Sequence, residues 1–157
     1  MGIITSGQAS DRRLSDLLGE IRRLPECGSV ERLSVALYDH QRNCLRSLAA
    51  ASIGHDPLKD YEIDLEEVPS LAILATGDAP RIVDDLFSYG RDSSVHTTEL
   101  RAAGYHSSLT MPVSEDGYFI GFVFFNAVTK RAFTPAAVGR LLPYCAAILA
   151  MVRRTAS

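Results

Sequence analysis

The sequence predicts an α+β domain in which an antiparallel sheet carries one helix from each terminus on one face and a shorter insertion on the other. Two observations predict this arrangement. Apolar residues recur every three or four positions near both ends of the chain, as in amphipathic helices. Between these helices lie two pairs of strand-like segments joined by short polar turns, and such pairs form antiparallel hairpins. The sheet needs a cover on its second face, and only the middle of the chain is left to supply it.

The first helix is predicted over Asp11–Leu24. Ser10 is a suitable N-cap, and Pro25 ends the helix. Its apolar stripe comprises Leu14, Leu17, Leu18, Ile21 and Leu24. Met1–Ala9 precedes this pattern and is expected to be a flexible tail.

The first hairpin is predicted from the segment that follows. Leu33–Tyr38 alternates large apolar residues with Ser34 and Ala36, as a strand does when one face is buried. Asp39–Asn43 is polar and predicts a turn. Cys44–Ile53 is therefore expected to be the partner strand.

The middle of the chain predicts short elements and one long loop. Tyr61–Leu65 alternates apolar and acidic residues, which indicates a short strand, and Val68–Thr76 predicts a short helix. Arg81–Val83 is a further extended piece. Asp84–His96 has little apolar content, and loops of that length in a compact domain usually carry function. Thr97–Ala103 is expected to be helical.

The second hairpin has the stronger turn signal. Ser108–Val113 is a predicted strand, and Asp116-Gly117 is a dipeptide that favours a tight hairpin turn. Tyr118–Asn126 is apolar on both faces. Such a strand is expected in the middle of the sheet, covered on both sides.

The last helix is predicted to begin at Thr134-Pro135, with Thr134 as N-cap and Pro135 as the first helical residue. Pro143 lies inside it and is expected to kink it. Its apolar stripe comprises Val138, Leu141, Leu142, Cys145, Ile148, Leu149 and Val152. Its other faces carry Ala136, Ala137, Ala146, Ala147, Ala150 and Met151. A helix that is apolar nearly all round is buried on more than one side, so we expect a homodimer built through the terminal helices.

Composition limits the classes of function. The chain has 157 residues, which suits one domain, and we assign it residues 10–154 between the two tails 1–9 and 155–157. Its formal net charge is -3 with no basic stripe, so nucleic-acid binding is not expected. The longest apolar run, Cys145–Val152, is far shorter than the ~20 residues of a membrane span. Three widely spaced cysteines predict neither disulfides nor zinc, which is typical of a cytoplasmic protein.

Five segments in order resemble the GAF domain family. They are Leu33–Asp39, Gly77–Asp85, Leu100–Val113, Gly121–Asn126 and Phe133–Pro135. The resemblance runs from about residue 10 to 154 and implies a six-stranded antiparallel sheet related to the PAS fold. It also implies a ligand pocket between the sheet and the insertion, and dimers built through terminal helices.

The resemblance suggests particular ligands, and the residues argue against two of them. Phytochrome-type domains attach a bilin through a cysteine that stands where this chain has Val95, next to His96. Without a thiol no thioether forms, so a covalent bilin is not expected. The cyclic-nucleotide signature matches only at Asn126, Lys130 and Phe133, and the acidic pair that should follow is missing.

Haem and thiol chemistry have equally little support. His96 and His106 flank the same predicted helix and could approach a pocket, but scattered histidines are a weak signal for haem. One enzyme of this fold, free methionine sulfoxide reductase, uses thiols in the insertion. Residues 61–105 contain no cysteine, so we do not expect an enzyme. The cofactor, if there is one, stays unassigned, and no metal site is expected.

The sequence thus predicts a regulatory ligand-sensing domain of a bacterial-type signalling protein, which binds a small molecule between sheet and insertion and signals through its terminal helices. The expected lining residues are Asp85, Tyr89, His96, Tyr105, Phe122 and Phe124. The alternative is a dimerisation scaffold whose pocket is filled by its own side chains. A scaffold would pack Tyr61, Leu74, Tyr89, Leu100 and Tyr118 inward, whereas a sensor should hold a cavity of about 300–1,000 Å³.

Overall fold

The computed structural model describes residues 6–54, 62–88 and 95–156. Its centre is a six-stranded antiparallel sheet with strand order β3-β2-β1-β6-β5-β4. The strands are β1 (Val30–Asp39), β2 (Cys44–Ser52), β3 (Glu62–Asp64), β4 (Arg81–Val83), β5 (Ser107–Glu115) and β6 (Tyr118–Ala127). The helices are α1 (Ser6–Arg22), α2 (Pro69–Leu74), α3 (Val95–Ala102) and α4 (Pro135–Ala156), with a 3-10 turn at Leu65–Glu67. The predicted α+β class and antiparallel sheet are confirmed.

Both predicted hairpins form, and their turns have the backbone that the sequence indicates. Asp116 and Gly117 have φ of 52° and 82°, the left-handed conformation that a two-residue turn between β5 and β6 requires. Asn43, with φ of 50°, ends the turn between β1 and β2. β6 lies beside β1 at the centre of the sheet, as its two apolar faces predict.

One face of the sheet packs against α1 and α4. Leu14, Leu18 and Ile21 of α1 are buried against the sheet, together with Leu141 and Ile148 of α4. At the start of α4, Thr134 Oγ1 accepts a hydrogen bond from the Ala137 backbone N–H at 3.2 Å, which confirms the predicted N-cap. This is the larger of the apolar cores, and we call this side the helix face.

The starts of two helices differ from the prediction by two residues or more. α1 begins at Ser6 rather than Asp11, so residues 6–9 belong to the helix rather than to a tail, and residues 1–5 lie outside the described part. Asp11, predicted as the first helical residue, lies within α1, and its Oδ1 accepts a hydrogen bond from the Ala50 N–H at 2.9 Å, which joins α1 to β2. α3 begins at Val95, two residues before the predicted start.

The buried stripe of α4 also differs by one position. Leu142 was expected in the stripe but is 45% exposed, whereas Ala137 is fully buried. The sheet covers the side that Ala137, Leu141, Cys145 and Ile148 share, and Leu142 points about 100° away from Leu141 on a helix. Leu142 therefore lies on the outer side of α4, next to its exposed alanines.

Candidate functional site

The second face of the sheet, which carries α2 and α3, is called the insertion face here. Cross-strand neighbours in antiparallel strands point to the same side, so the register defines three rows on this face. In the order β1, β6, β5, the rows join Arg32 with Asn126 and Ser108, Ser34 with Phe124 and Thr110, and Ala36 with Phe122 and Pro112. The first two rows contain buried polar side chains in the middle of the domain.

Four of these side chains form what we call the polar band: Arg32, Ser34, Thr110 and Asn126. Arg32 is 0% exposed, and its Nη1 donates a hydrogen bond to Asn126 Oδ1 at 2.9 Å. Burying a guanidinium is costly unless hydrogen bonds satisfy its donors, and Arg keeps its charge at any physiological pH. The band therefore places a permanent positive charge on the insertion face.

Ser34 is the least satisfied member of the polar band. Its side chain is 0% exposed, and none of the described residues gives its Oγ a hydrogen bond. Most buried hydroxyls have a hydrogen-bond partner, so the exception at Ser34 needs a reason, and a role in ligand binding is one such reason. Thr110, which lies across β6 from Ser34, adds a second buried hydroxyl to the same row.

Aromatic side chains pack at one end of the polar band. Phe122 and Phe124 are buried with their ring centroids 5.7 Å apart, and Phe119 lies 4.8 Å from Phe122. Leu65 of the 3-10 turn and Leu71 of α2 cover this cluster. Phe122 and Phe124 thus lie on the predicted face, in contact with side chains of their own chain.

Tyr105 and Asp85 are also described, and they lie elsewhere. Tyr105 is buried in a separate apolar cluster with Leu100 of α3, and its hydroxyl is 3.5 Å from the Glu31 carbonyl oxygen, to which it donates. Asp85 lies in the loop after β4 and borders a shallow cavity of about 370 Å³. The other lining residues of this cavity are Ile82, Val83, Asp84, Ser88 and Arg131.

The Asp85 carboxylate already has partners within the protein. Its Oδ2 accepts a hydrogen bond from Ser88 Oγ at 2.8 Å and lies 3.6 Å from Lys130 Nζ, while its Oδ1 accepts from the Phe87 N–H at 3.0 Å. The Ser88 hydrogen bond in particular, with the Phe87 amide and Lys130, lowers the pKa of Asp85. His106 Nδ1 lies 3.9 Å from Oδ1. These contacts suit a residue that holds the loop in place.

Two predicted lining residues, Tyr89 and His96, have no described side chain. Tyr89 lies outside the described residues, and only the backbone of His96, within α3, is described. Among the described residues, Asp85, Tyr105 and the pair Phe122 and Phe124 lie in three different places, and their roles as ligand contacts stay predictions. The sequence analysis did not predict the polar band. The signal that could have indicated it is the presence of polar residues in β1, the neighbour of a strand, β6, that is apolar on both faces.

Of the residues that a self-filled scaffold should pack inward, some are packed and one is exposed. Leu100 is buried and Leu74 packs against the Phe122 cluster, as a self-filled pocket requires. Tyr118 is 70% exposed and fills nothing. Tyr61 lies outside the described residues, like Tyr89.

The three cysteines are buried, and burial makes their thiols less acidic. Burial raises the pKa of the Cys145 thiol to about 12 and also raises that of Cys27. Burial and the hydrogen bond to Glu62 raise the pKa of Cys44. Within residues 6–54, 62–88 and 95–156, no three His, Cys, Asp or Glu side chains gather as metal ligands would.

The outer side of α4 is a second candidate surface, of a different kind. Ala136, Leu142, Ala146, Ala147 and Ala150 are exposed there. A groove of about 590 Å³ runs between α4 and the β5–β6 hairpin. It is lined by Val113, Ser114, Glu115, Ile120, Ala146, Ala150, Arg153 and Arg154. Among the described helices, α4 alone is long and apolar enough to cross a membrane, but its stripe is packed on the sheet.

Sequence comparison finds no matching family model and no matching curated protein. Structure comparison finds the GAF domain/HD domain protein from Geobacter sulfurreducens, with TM-score 0.71 and 15% identity over 97% of this chain and 95% of that one. It also finds the blue-light absorbing form of the PixJ GAF domain from Thermosynechococcus elongatus, with TM-score 0.65 and 16% identity over 98% and 90%. The chain has the GAF-domain fold.

The GAF fold accommodates more than one activity among the similar structures. A type II free methionine-R-sulfoxide reductase from Thermoplasma acidophilum matches with TM-score 0.67 and 16% identity over 95% of both chains. At such identities the similarity establishes the fold alone, and function must be argued from the site. In this domain of GAF fold, the insertion face and the outer side of α4 are the two described surfaces on which such an argument can be based.

Proposed function

We propose that this GAF domain is a regulatory sensor that binds a small molecule on the insertion face, over the polar band. The observation that supports the proposal is the burial of Arg32 and Ser34 between two apolar clusters. Burying polar groups there costs stability that apolar side chains of similar size would not cost. A role in ligand binding explains why Arg32 and Ser34 are polar despite that cost.

The strand β1 offers a short route from this site to the terminal helices. Its residues alternate between faces, so Ser34 and Ala36 contact the insertion side while Leu33 and Val35 pack against α1 and α4. Gly121 of β6 lies where these layers meet. A Cβ there would overlap the Ala36 carbonyl oxygen and lie 3.3 Å from Leu149 Cδ1 of α4. Packing this tight would transmit a small shift of β1 to α4.

We further propose that α4 pairs with its copy in a symmetric homodimer. Its exposed outer side carries Ala146, Ala147 and Ala150, where an unpartnered helix normally carries charges. Small residues allow a second helix to approach closely. A two-fold axis is the commonest way to cover such a surface.

The alternative function is a dimerisation scaffold without a ligand. The packing of Leu65 and Leu71 over Phe122 and Phe124 favours it, because that part of the insertion face is already filled. A scaffold, however, gives no account of the buried hydroxyl of Ser34.

Catalysis is not part of the proposal. Thiol enzymes need an exposed cysteine with a lowered pKa, whereas the pKa values of Cys27, Cys44 and Cys145 are raised by burial. All three are free thiols, which fits a reducing cytoplasm, the compartment we propose. The net charge of -3 argues against nucleic acid as a partner, and the buried stripe of α4 argues against a membrane.

Native mass spectrometry of the purified protein tests both parts of the proposal in one spectrum. We expect a dimer, with an added mass of a few hundred daltons on part of the population, which disappears after denaturation and refolding. A ligand-free dimer that gains no mass from a cell extract would favour the scaffold. A monomer at high concentration would contradict the proposed pairing of α4.

A further inference from the structure

We propose that the groove between α4 and the β5–β6 hairpin receives Leu142 of a second copy of this chain, so that the two α4 helices pair antiparallel. This inference gives the geometry of the homodimer proposed above and therefore rests on that proposal. It starts from an exposed leucine and an open groove that lie next to each other on the outer side of α4.

Leu142 and the groove belong to one row of side chains along α4. Leu142, Ala146 and Ala150 recur every four residues, so they are neighbours on one side of the helix. Leu142 is 45% exposed and projects from this row, whereas Ala146 and Ala150 line the groove. The row therefore has a protruding side chain in the N-terminal half of α4 and a depression in the C-terminal half.

The groove is apolar where it would receive a leucine. Val113 and Ile120 line it from the hairpin, and Ala146 and Ala150 line it from α4. Burying the exposed part of a leucine against such side chains removes apolar surface of both copies from water, which favours association. The two alanines also leave room for the backbone of a second helix to come close.

An antiparallel pair brings each leucine to the groove of the other copy. A two-fold axis beside Ala146 places position 142 of one helix opposite position 150 of the other, and the converse contact follows from the symmetry. The same axis keeps the hairpin side of one helix next to the hairpin side of the other. In a parallel pair, Leu142 would lie level with Leu142 of the second copy, and both grooves would stay unfilled.

The charges of α4 favour the same orientation. α4 contains three arginines and no acidic residue, and Arg153 and Arg154 lie together in its last turn. A parallel pair would bring these arginines of both copies to one end, where like charges repel. An antiparallel pair places them beside the N-terminal half of the second helix, whose exposed residues include the uncharged Gly139 and Pro143. Glu115 Oε2 accepts a hydrogen bond from Arg153 Nη1 at 2.6 Å and balances one charge at each end.

Disulfide cross-linking of full-length variants distinguishes the two orientations. Positions 142 and 150 are about 12 Å apart along a helix, too far for a disulfide. In the proposed dimer, Leu142→Cys alone and Ala150→Cys alone should therefore not cross-link, whereas the double variant should form a linked dimer. Ala146→Cys, beside the two-fold axis, should cross-link by itself. Copper phenanthroline is the oxidant, non-reducing electrophoresis is the readout, and the wild type is the background control because its three cysteines are buried.

Leu142→Ala should weaken the dimer and leave the chain folded. The symmetric dimer contains two such leucines, so the substitution should raise the dimer dissociation constant roughly tenfold to hundredfold in sedimentation equilibrium. Ile73→Ala is the matched control, because Ile73 is an aliphatic residue of α2 that is 72% exposed on the insertion face. It should leave the dissociation constant unchanged.

Two results would overturn the inference and keep the homodimer. One is a linked dimer in Leu142→Cys alone and in Ala150→Cys alone, which indicates a parallel pair. The other is an unchanged dissociation constant in Leu142→Ala. Failure of the proposed pairing itself looks different: a wild type that stays monomeric at high concentration, or a dimer that cross-links at none of the three positions, removes pairing through α4 and this inference with it.

Discussion

Gly121 is the position where a single added methyl group should do most damage. In Gly121→Ala the new Cβ overlaps the carbonyl oxygen of Ala36, a backbone atom that can move only if β1 and β6 separate. The same Cβ lies 3.3 Å from Leu149 Cδ1 and 3.3 Å from Leu37 Cα, so the methyl group has no free side on which to settle. The substitution therefore tests how tightly the sheet and α4 are packed.

The expected cost follows from that geometry. Overpacking a well-filled core costs about 1–3 kcal/mol. Weakening one or two hydrogen bonds between β1 and β6 adds about 1 kcal/mol each. Together these give a loss of about 2–5 kcal/mol, which in a chain of this size lowers the melting temperature by roughly 4–20 °C, at about 2–4 °C per kcal/mol.

Gly139→Ala is the matched control, because it makes the same chemical change at an exposed position of α4 with no atom within 4 Å of the new Cβ. Alanine favours a helix over glycine by about 1 kcal/mol, so this variant should melt slightly higher than the wild type. Thermal unfolding followed by circular dichroism compares the three proteins. A Gly121→Ala protein that melts within about 1 °C of the wild type would refute the close-packing argument.

Three further predictions concern the surface, the pH dependence and the absence of colour. Ala147→Glu and Ala150→Glu should each convert a dimer to a folded monomer in size-exclusion light scattering, because they place charges in the proposed helix pair; dimers in both variants would contradict it. The wild type should have a larger free energy of unfolding than Asp85→Asn above about pH 4, the pKa of Asp in the unfolded chain. This difference should shrink as the pH falls through the lowered pKa of Asp85 in the folded protein. If urea unfolding gives the same difference at pH 7 and at about pH 3, the charge of Asp85 contributes nothing to stability. Reconstitution with haem should leave the protein colourless, and a visible band lost in His106→Ala would prove this wrong.

The sequence was sufficient for those parts of the fold that local chemistry decides. Thr134-Pro135 marks the start of α4 and Asp116-Gly117 marks a hairpin turn, because capping and left-handed backbone depend on a few adjacent residues. The start of α1 was placed too late because nothing in residues 6–9 forbids a helix. A cap assigned to Ser10 then cut the helix short.

The candidate site depends on tertiary packing and was only partly predictable. Ser34 lies on the polar side of the predicted strand and Arg32 directly precedes it, so the sequence does not indicate that either is buried. Their burial follows from pairing with β6 and from the cover that the insertion provides. Asp85 looked like a ligand contact, but Ser88 three residues later supplies a local partner for its carboxylate. That spacing is visible in the sequence, and it indicates a turn as readily as a site.

Hydrogen–deuterium exchange tests the central claim, that a molecule on the insertion face is coupled to the terminal helices. It would be measured with and without the small molecule that native mass spectrometry finds on the protein. The account predicts slower exchange in β1, where Arg32 and Ser34 lie, and a simultaneous change in α4 on the opposite face. Slower exchange in β1 with no change in α4 would contradict the coupling, and a change in α4 with none in β1 would contradict the site.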